Sequence, residues 1–489
     1  MTLNCANRNC RLFSGAIKQT VIFRFLAVLA VLACAVPVEG RNLPKIRVAE
    51  NGRGFVDASG RPFVPFGVSY YRPGTGWAPQ VWKQFDAEAT RQDFVRMKKL
   101  GVNCVRVFLS YGSFYHTPGV LDRAGIAKFD QFLSIAEQAG IYVHPTGPDL
   151  WEGSPEWPLG GIDNEKTLSA LETYWKMFAA RYRGRNVIFA YDLRNEPAVG
   201  WDGLEAPWNL WLVDKYKSID RLNAAWNGQK PETQFGSIPV SPKHDARGNR
   251  ELLDFQSFRE HLADEWTRRQ AAAIKSADPQ ALVTIGMIQW SVPLLLPGSL
   301  ANYSGFRPQR QARYLDFLEI HFYPLADGGY KYLGPENEAR NLAYLESVVR
   351  EAARPDKPLV LGEFGWYGGG KPGFEHGAFP AASEGQQAQY DRSVVETSAG
   401  LACGWLNWGF YDQPEATDCS QLIGLVAANG KVKAWGQTFH DLTRRFQGKI
   451  VPPKTSGPRP VMNWDDCLSS LKSGDDFREE YFKAFSQNP

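Results

Sequence analysis

Two stretches decide how this chain is read: Asn186-Val-Ile-Phe-Ala-Tyr-Asp-Leu-Arg-Asn-Glu-Pro197 and Pro358-Leu-Val-Leu-Gly-Glu-Phe-Gly-Trp366. Each is an apolar run of strand length that closes on a glutamate, Glu196 in the first and Glu363 in the second. Near-continuous apolar character marks strands buried on both faces, as in parallel sheets covered by helices. Six further β-rich runs lie around them, at residues 61–70, 102–110, 141–146, 281–289, 315–324 and 404–412. Helix-prone stretches separate them. Residues 126–140 carry Phe129, Phe132, Leu133 and Ala136 on one face and stop at Gly140. Eight strands alternating with helices predict an α/β fold, a (β/α)8 TIM barrel. The gap at residues 198–279 is too long for one crossover helix and predicts an insertion between strands 4 and 5, beside the cleft. Pro- and Gly-rich residues 451–460 read as a linker into a short polar tail. The expected organisation is a leader at 1–40, a barrel domain at 41–450 and a linker and tail at 451–489.

The 489 residues suffice for one elaborated barrel. Fifty-five basic and 52 acidic residues leave a formal charge of +3 with no basic block, which argues against a nucleic-acid partner. Arg8, Arg11, Lys18 and Arg24 precede an apolar stretch at 25–36, and Val38-Glu-Gly40 offers a small-residue cleavage site, the pattern of a secretory signal peptide. The expected location is secreted, periplasmic or cell-surface. Val31-Leu-Ala-Cys34 also has the form of a lipobox, so membrane attachment follows only if the leader is retained or Cys34 is lipidated. Of seven cysteines, Cys5, Cys10 and Cys34 fall in or before this leader. Cys104 and Cys403 sit in apolar runs as small hydrophobes, and Cys419 with Cys467 is a possible disulfide in an exported protein. No Cys-x-x-Cys or His-Glu-x-x-His spacing is present, so neither a metal nor another cofactor is expected.

Active sites of parallel barrels lie at the C-terminal ends of the strands. The polar and aromatic residues at those ends are Arg106, His144, Asn195, Glu196, His321, Tyr323, Glu363 and Trp408. Any one of them alone has a plain structural reading: a solvated cap, a structural ion pair, a packed indole. Together they point to chemistry, because charged groups in a core are paired or functional. Two carboxylates across a cleft are the minimum equipment for hydrolysing a glycosidic bond.

The motifs Asn195-Glu196-Pro197, His321-Phe-Tyr323, Gly362-Glu363-Phe364-Gly365 and Trp408, in this order, resemble glycoside hydrolase family 5 and the wider clan of retaining (β/α)8 glycosidases, over residues 45–445. That resemblance implies Glu196 as general acid/base, best served by a pKa near the working pH, and Glu363 as ionised nucleophile. It implies Arg106 and Tyr323 holding Glu363, Asn195 on the sugar 2-hydroxyl, His321 orienting Glu196 and Trp408 as sugar floor. His144 stands near the place of a family histidine, but His144-Pro-Thr-Gly-Pro148 departs from the usual motif. Tyr70, Trp77, Trp151, Trp290 and Trp366 are further rim aromatics. Residues 60–67, 100–106 and 358–365 look most like endo-β-mannanases and cellulases. The insertion segment Tyr216-Lys-Ser-Ile-Asp-Arg-Leu-Asn-Ala-Ala-Trp-Asn227 resembles a helix-loop of family 42 β-galactosidases. The expected protein is a secreted retaining β-glycoside hydrolase acting on β-linked polysaccharide or oligosaccharide, endo-β-1,4-mannanase- or cellulase-like. An exo-acting β-galactosidase is the alternative, and a non-catalytic carbohydrate-binding barrel is the rival from another class.

Overall fold

A computed structural model describes residues 43–75, 80–227 and 231–488; the leader and Trp77 lie outside them. Three short strands, β1 (Ile46–Val48), β2 (Phe55–Asp57) and β3 (Pro62–Phe63), form an antiparallel sheet. The next eight are β4 (Phe66–Ser69), β5 (Cys104–Ser110), β6 (Tyr142–Asp149), β7 (Tyr191–Asn195), β8 (Val283–Met287), β9 (Leu318–Phe322), β10 (Leu359–Phe364) and β11 (Trp405–Asn407). They close into a parallel barrel, β4 to β11 in sequence with β11 returning to β4. Both expected glutamate runs are barrel strands, β7 and β10.

The first run, residues 61–70, is divided between the two sheets. Pro62 and Pro65 have no N–H to give a ladder, so residues 62–63 join the small sheet while Pro65 O accepts from Trp405 N at 2.8 Å and starts the barrel. The small sheet seals the barrel's N-terminal mouth. Phe55 meets Phe189 and Phe317 edge-on, each at 5.1 Å, and Phe63 packs on Tyr142 at 4.9 Å. Such aromatic pairs add roughly 0.5–1.5 kcal/mol beyond burial. Helices surround the barrel, several with side-chain caps. Asp86 accepts from Ala89 N to open Ala87–Lys99, and Gly140, at φ 65°, closes Arg123–Ala139.

The insertion between β7 and β8 folds as helices Glu205–Tyr216 and Ile219–Trp226 against the 28-residue helix Arg250–Ala277. Trp208 stacks on Trp211 and Trp226 and packs edge-on to Phe255. Trp226 donates its indole N–H to Asp254 at 2.9 Å, so it is turned to the helix and away from the cleft. The tail also becomes ordered structure, in helices Trp464–Ser469 and Leu471–Gln487. The expected Cys419–Cys467 disulfide does not form, and both thiols are free. Cys419 stands on the cleft wall, whereas Cys467 is buried in a tail helix among core residues. Among the described residues no helix is long and apolar enough to cross a membrane.

Candidate active site

Inward side chains of a parallel barrel stack in layers, and here two layers build the site. The lower layer is charged and sealed from solvent. Arg106, fully buried on β5, donates from Nη2 to Asp192 Oδ2 at 2.8 Å and lies 3.5 Å from Glu319. Asp192 is further held by Thr146 Oγ1 and by the Gly286 N–H, both at 2.8 Å. His144 spends both ring nitrogens, one on Ala190 O at 3.0 Å and one on Glu319 Oε2 at 2.8 Å. Two glycines make this density possible. A Cβ at Gly286 would lie 2.8 Å from His321 Nε2, and one at Gly362 only 1.9 Å from Glu319 Oε1.

The upper layer carries the glutamates. Glu196 follows β7 in a left-handed conformation, φ 44°, anchored by its N–H to Gly286 O at 2.8 Å. Such backbone is sparsely populated for a non-glycine residue and clusters at functional sites. His321 Nδ1 lies 3.0 Å from Glu196 Oε1 and 3.5 Å from Glu363 Oε2. Glu363 receives the Tyr323 hydroxyl at 2.9 Å on one oxygen and the Arg106 guanidinium on the other. Arg106 also donates to Asn195 Oδ1 at 2.8 Å, so one guanidinium fixes two residues of the upper layer. Trp408 is pinned by its N–H to Ser420 Oγ at 2.8 Å.

Electrostatics follow from this wiring. Burial pushes the Glu363 carboxyl above the ordinary carboxylate value, while His321, Arg106 and the Tyr323 hydroxyl limit the rise. Burial opposes charge on His321, but Glu363, Glu196 and Glu319 outweigh it and hold the imidazole at about 10. Glu319 would also be pushed up by burial. The charge and hydrogen bond of His144, with His321 and Arg106, bring it below the usual range instead.

A cavity of about 680 Å³ opens above the upper layer. Asn195, Glu196, Tyr323, Glu363 and Trp408 line it. Arg106 and His321 do not reach it; both are fully buried and act on the glutamates from below. His144 is a clear correction, since it is 1% exposed and its two nitrogens are committed within the lower layer, so it does not contact a ligand. Of the rim aromatics, Trp151 and Trp366 line the cavity. Tyr70 is buried, with its hydroxyl on Asp93, and Trp290 lies off the cavity. Sequence reasoning missed Asp192 and Glu319. Each is a lone carboxylate inside an apolar strand, a signal that was available. It also missed the loop residues Lys331, Phe374, Phe379 and Cys419 on the cavity walls. Two sets, His144/Asp192/Glu319 and Glu196/His321/Glu363, each bring ligand atoms within 4.8 Å of one another. Arg106 pairs with Asp192, Glu319 and Glu363, so it already supplies a fixed cation to both.

The cellulase model, glycosyl hydrolase family 5, matches residues 56–413. The mannan endo-1,4-β-mannosidase F of Aspergillus clavatus is 24% identical over 253 residues, 43% of this chain and 56% of that protein. The β-galactosidase Bga of Halorubrum lacusprofundi is 36% identical over 78 residues, 15% of this chain and 11% of that protein. The chain thus spans little more than half of one of these relatives and about a tenth of the other. Among solved structures, GH5_18 from Streptomyces cattleya in complex with GlcNAc superposes with a TM-score of 0.60 at 18% identity, covering 87% of this chain and 92% of that one. The exo-β-1,4-mannosidase Op5Man5 from Opitutaceae bacterium strain TAV5 gives 0.57 at 19% identity, covering 82% and 62%. Likeness at that identity is likeness of fold.

Proposed function

This chain belongs to glycosyl hydrolase family 5, and on that premise we propose that it is a retaining, endo-acting β-glycosidase of β-1,4-linked mannan or glucan. One observation carries the mechanism: an oxygen of Glu196 and an oxygen of Glu363 lie within 4.8 Å. Carboxyl groups about 5–5.5 Å apart suit direct attack on the sugar, whereas inversion needs about 6.5–9.5 Å to admit a water. In this reading Glu363 attacks the anomeric carbon while Glu196 protonates the departing oxygen. Glu196 then deprotonates the water that releases the glycosyl-enzyme. Arg106 and Tyr323 aim the nucleophile, and Asn195 meets the 2-hydroxyl.

Endo action is supported by the cleft's extent. A further cavity of about 380 Å³ shares Asn195 and Glu196 with the catalytic one, so space continues past the acid/base. The first insertion residues, Ala198 and Gly200, line that extension. Export through the leader at residues 1–40 belongs to the same proposal, and the mass of the mature N-terminus checks it. The substrate test is product analysis on mannan, cellulose, mixed-linkage glucan and an aryl β-galactoside. Short oligosaccharides, first released as the β-anomer, are expected. An α-anomer overturns retention. Galactose as the sole product favours the exo-β-galactosidase reading, which the local identity to Bga supports.

A further inference from the structure

We propose that the C-terminal helix Leu471–Gln487 supplies a distal sugar-binding subsite, receiving a substrate unit remote from the bond that breaks. The proposal rests on the glycosidase reading above. A cavity of about 370 Å³ adjoins the catalytic one and shares Leu295, Pro297, Leu325 and Gly328 with it. Leu471, Asp475 and Arg478 of the C-terminal helix form its other wall. The helix lies beyond the family match, which ends at residue 413.

The approach of the helix to the cleft is built into its sequence. Gly474 stands inside the helix, where glycine costs roughly 0.5–1 kcal/mol relative to alanine. A Cβ there would lie 2.8 Å from Leu294 O, on the loop that the two cavities share. Glycine lets helix and loop touch backbone to backbone, one residue from Asp475. The chemistry suits a neutral sugar. Asp475 is 59% exposed and lies 3.3 Å from Arg478, which is 15% exposed. A carboxylate accepts from neighbouring hydroxyls, and a guanidinium donates in a fixed plane. Leu295, Pro297 and Leu325 give an apolar surface for the C–H face of the ring. Asp327 lines the same cavity, so its walls offer sugar hydroxyls two carboxylate acceptors and one guanidinium donor.

The test is kcat/KM on linear β-1,4-oligosaccharides of two to six units, of the sugar that the product screen identifies. Wild-type enzyme is expected to gain with chain length. In Asp475→Ala and Arg478→Ala, the long-over-short ratio is expected to fall about tenfold, equivalent to the loss of one modest contact, through KM rather than kcat. Lys472→Ala, on the exposed side of the same helix, is expected to keep the ratio and so reports on general damage to the helix. A wild-type ratio independent of length, or one that both cavity variants retain, overturns the proposal. Calorimetric titration of β-1,4-mannan- and β-1,4-glucan-derived oligosaccharides of two to six units into Glu363→Gln and Glu363→Gln/Asp475→Ala proteins separates the two readings. Length-dependent binding that the second variant loses, in an enzyme that cleaves no β-glycoside, sinks the glycosidase reading and retains the subsite. Turnover with no length-dependent binding does the reverse.

Discussion

At the scale of single residues, the site is one guanidinium and one imidazole holding two glutamates. In the proposed mechanism Glu363 must be ionised to attack, and burial has raised its pKa. Activity is therefore expected to fall, as pH decreases, at a value above that of an ordinary glutamate, near 4.5. The Tyr323 hydroxyl lowers the Glu363 pKa. Tyr323→Phe should move the acid limb of the kcat/KM profile to still higher pH, and a limb that stays in place or moves down contradicts the assignment. Glu196→Gln removes the proposed proton donor, so kcat on unactivated substrates should fall by ~10²–10⁴-fold. Azide should restore turnover of an activated aryl glycoside by Glu196→Ala, giving a β-glycosyl azide. Glu363→Ala should abolish turnover while circular dichroism stays native.

At the scale of elements, the strands matter for what they leave out as much as for what they carry. Position 362, before Glu363 on β10, is glycine because any side chain there would occupy the place of the Glu319 carboxylate. Gly362→Ala should cost about 1–3 kcal/mol by overpacking, read from urea unfolding, and should lower kcat because Glu319 is part of the set that fixes Arg106. The eight barrel strands were legible in the sequence because burial on both faces leaves long apolar runs. The two cleft glutamates stand out in the sequence because each ends such a run. The supporting carboxylates were harder to see, since Asp192 and Glu319 interrupt apolar strands that periodicity alone reads as core. Glu319 and His321 face inward together through the two-residue repeat of a strand, and that repeat is what joins the layers. His144 was placed at the rim because its strand was expected to end at residue 146. β6 continues to Asp149, which leaves His144 a layer down. The tail read as polar because Phe477, Tyr481 and Phe485 form a single stripe on an otherwise charged helix.

At the scale of the whole molecule, Glu346 joins barrel and tail. It is fully buried on helix Pro335–Ala353 and meets Arg459 at 2.7 Å, Lys454 at 3.0 Å, Arg350 at 3.1 Å and the Tyr481 hydroxyl at 2.9 Å. Burial would raise its carboxyl, but these cations bring it to about 2. A folded-state pKa below the unfolded value contributes stability above roughly pH 4.5, and that stability is lost as pH falls toward 2. Glu346→Ala leaves the cations uncompensated and should destabilise the protein by about 3–5 kcal/mol. Thermal melting at neutral pH measures this, and the deficit should shrink in acid. The three indoles of the insertion have a different consequence. Trp208 lies 5.5 Å from Trp211 and 6.3 Å from Trp226, with ring planes within 18° and 14° of parallel. Chromophores stacked this closely couple optically, so the insertion should give its own near-ultraviolet circular dichroism band. That band can be followed while the barrel unfolds, and it would tell whether the two come apart together or in sequence.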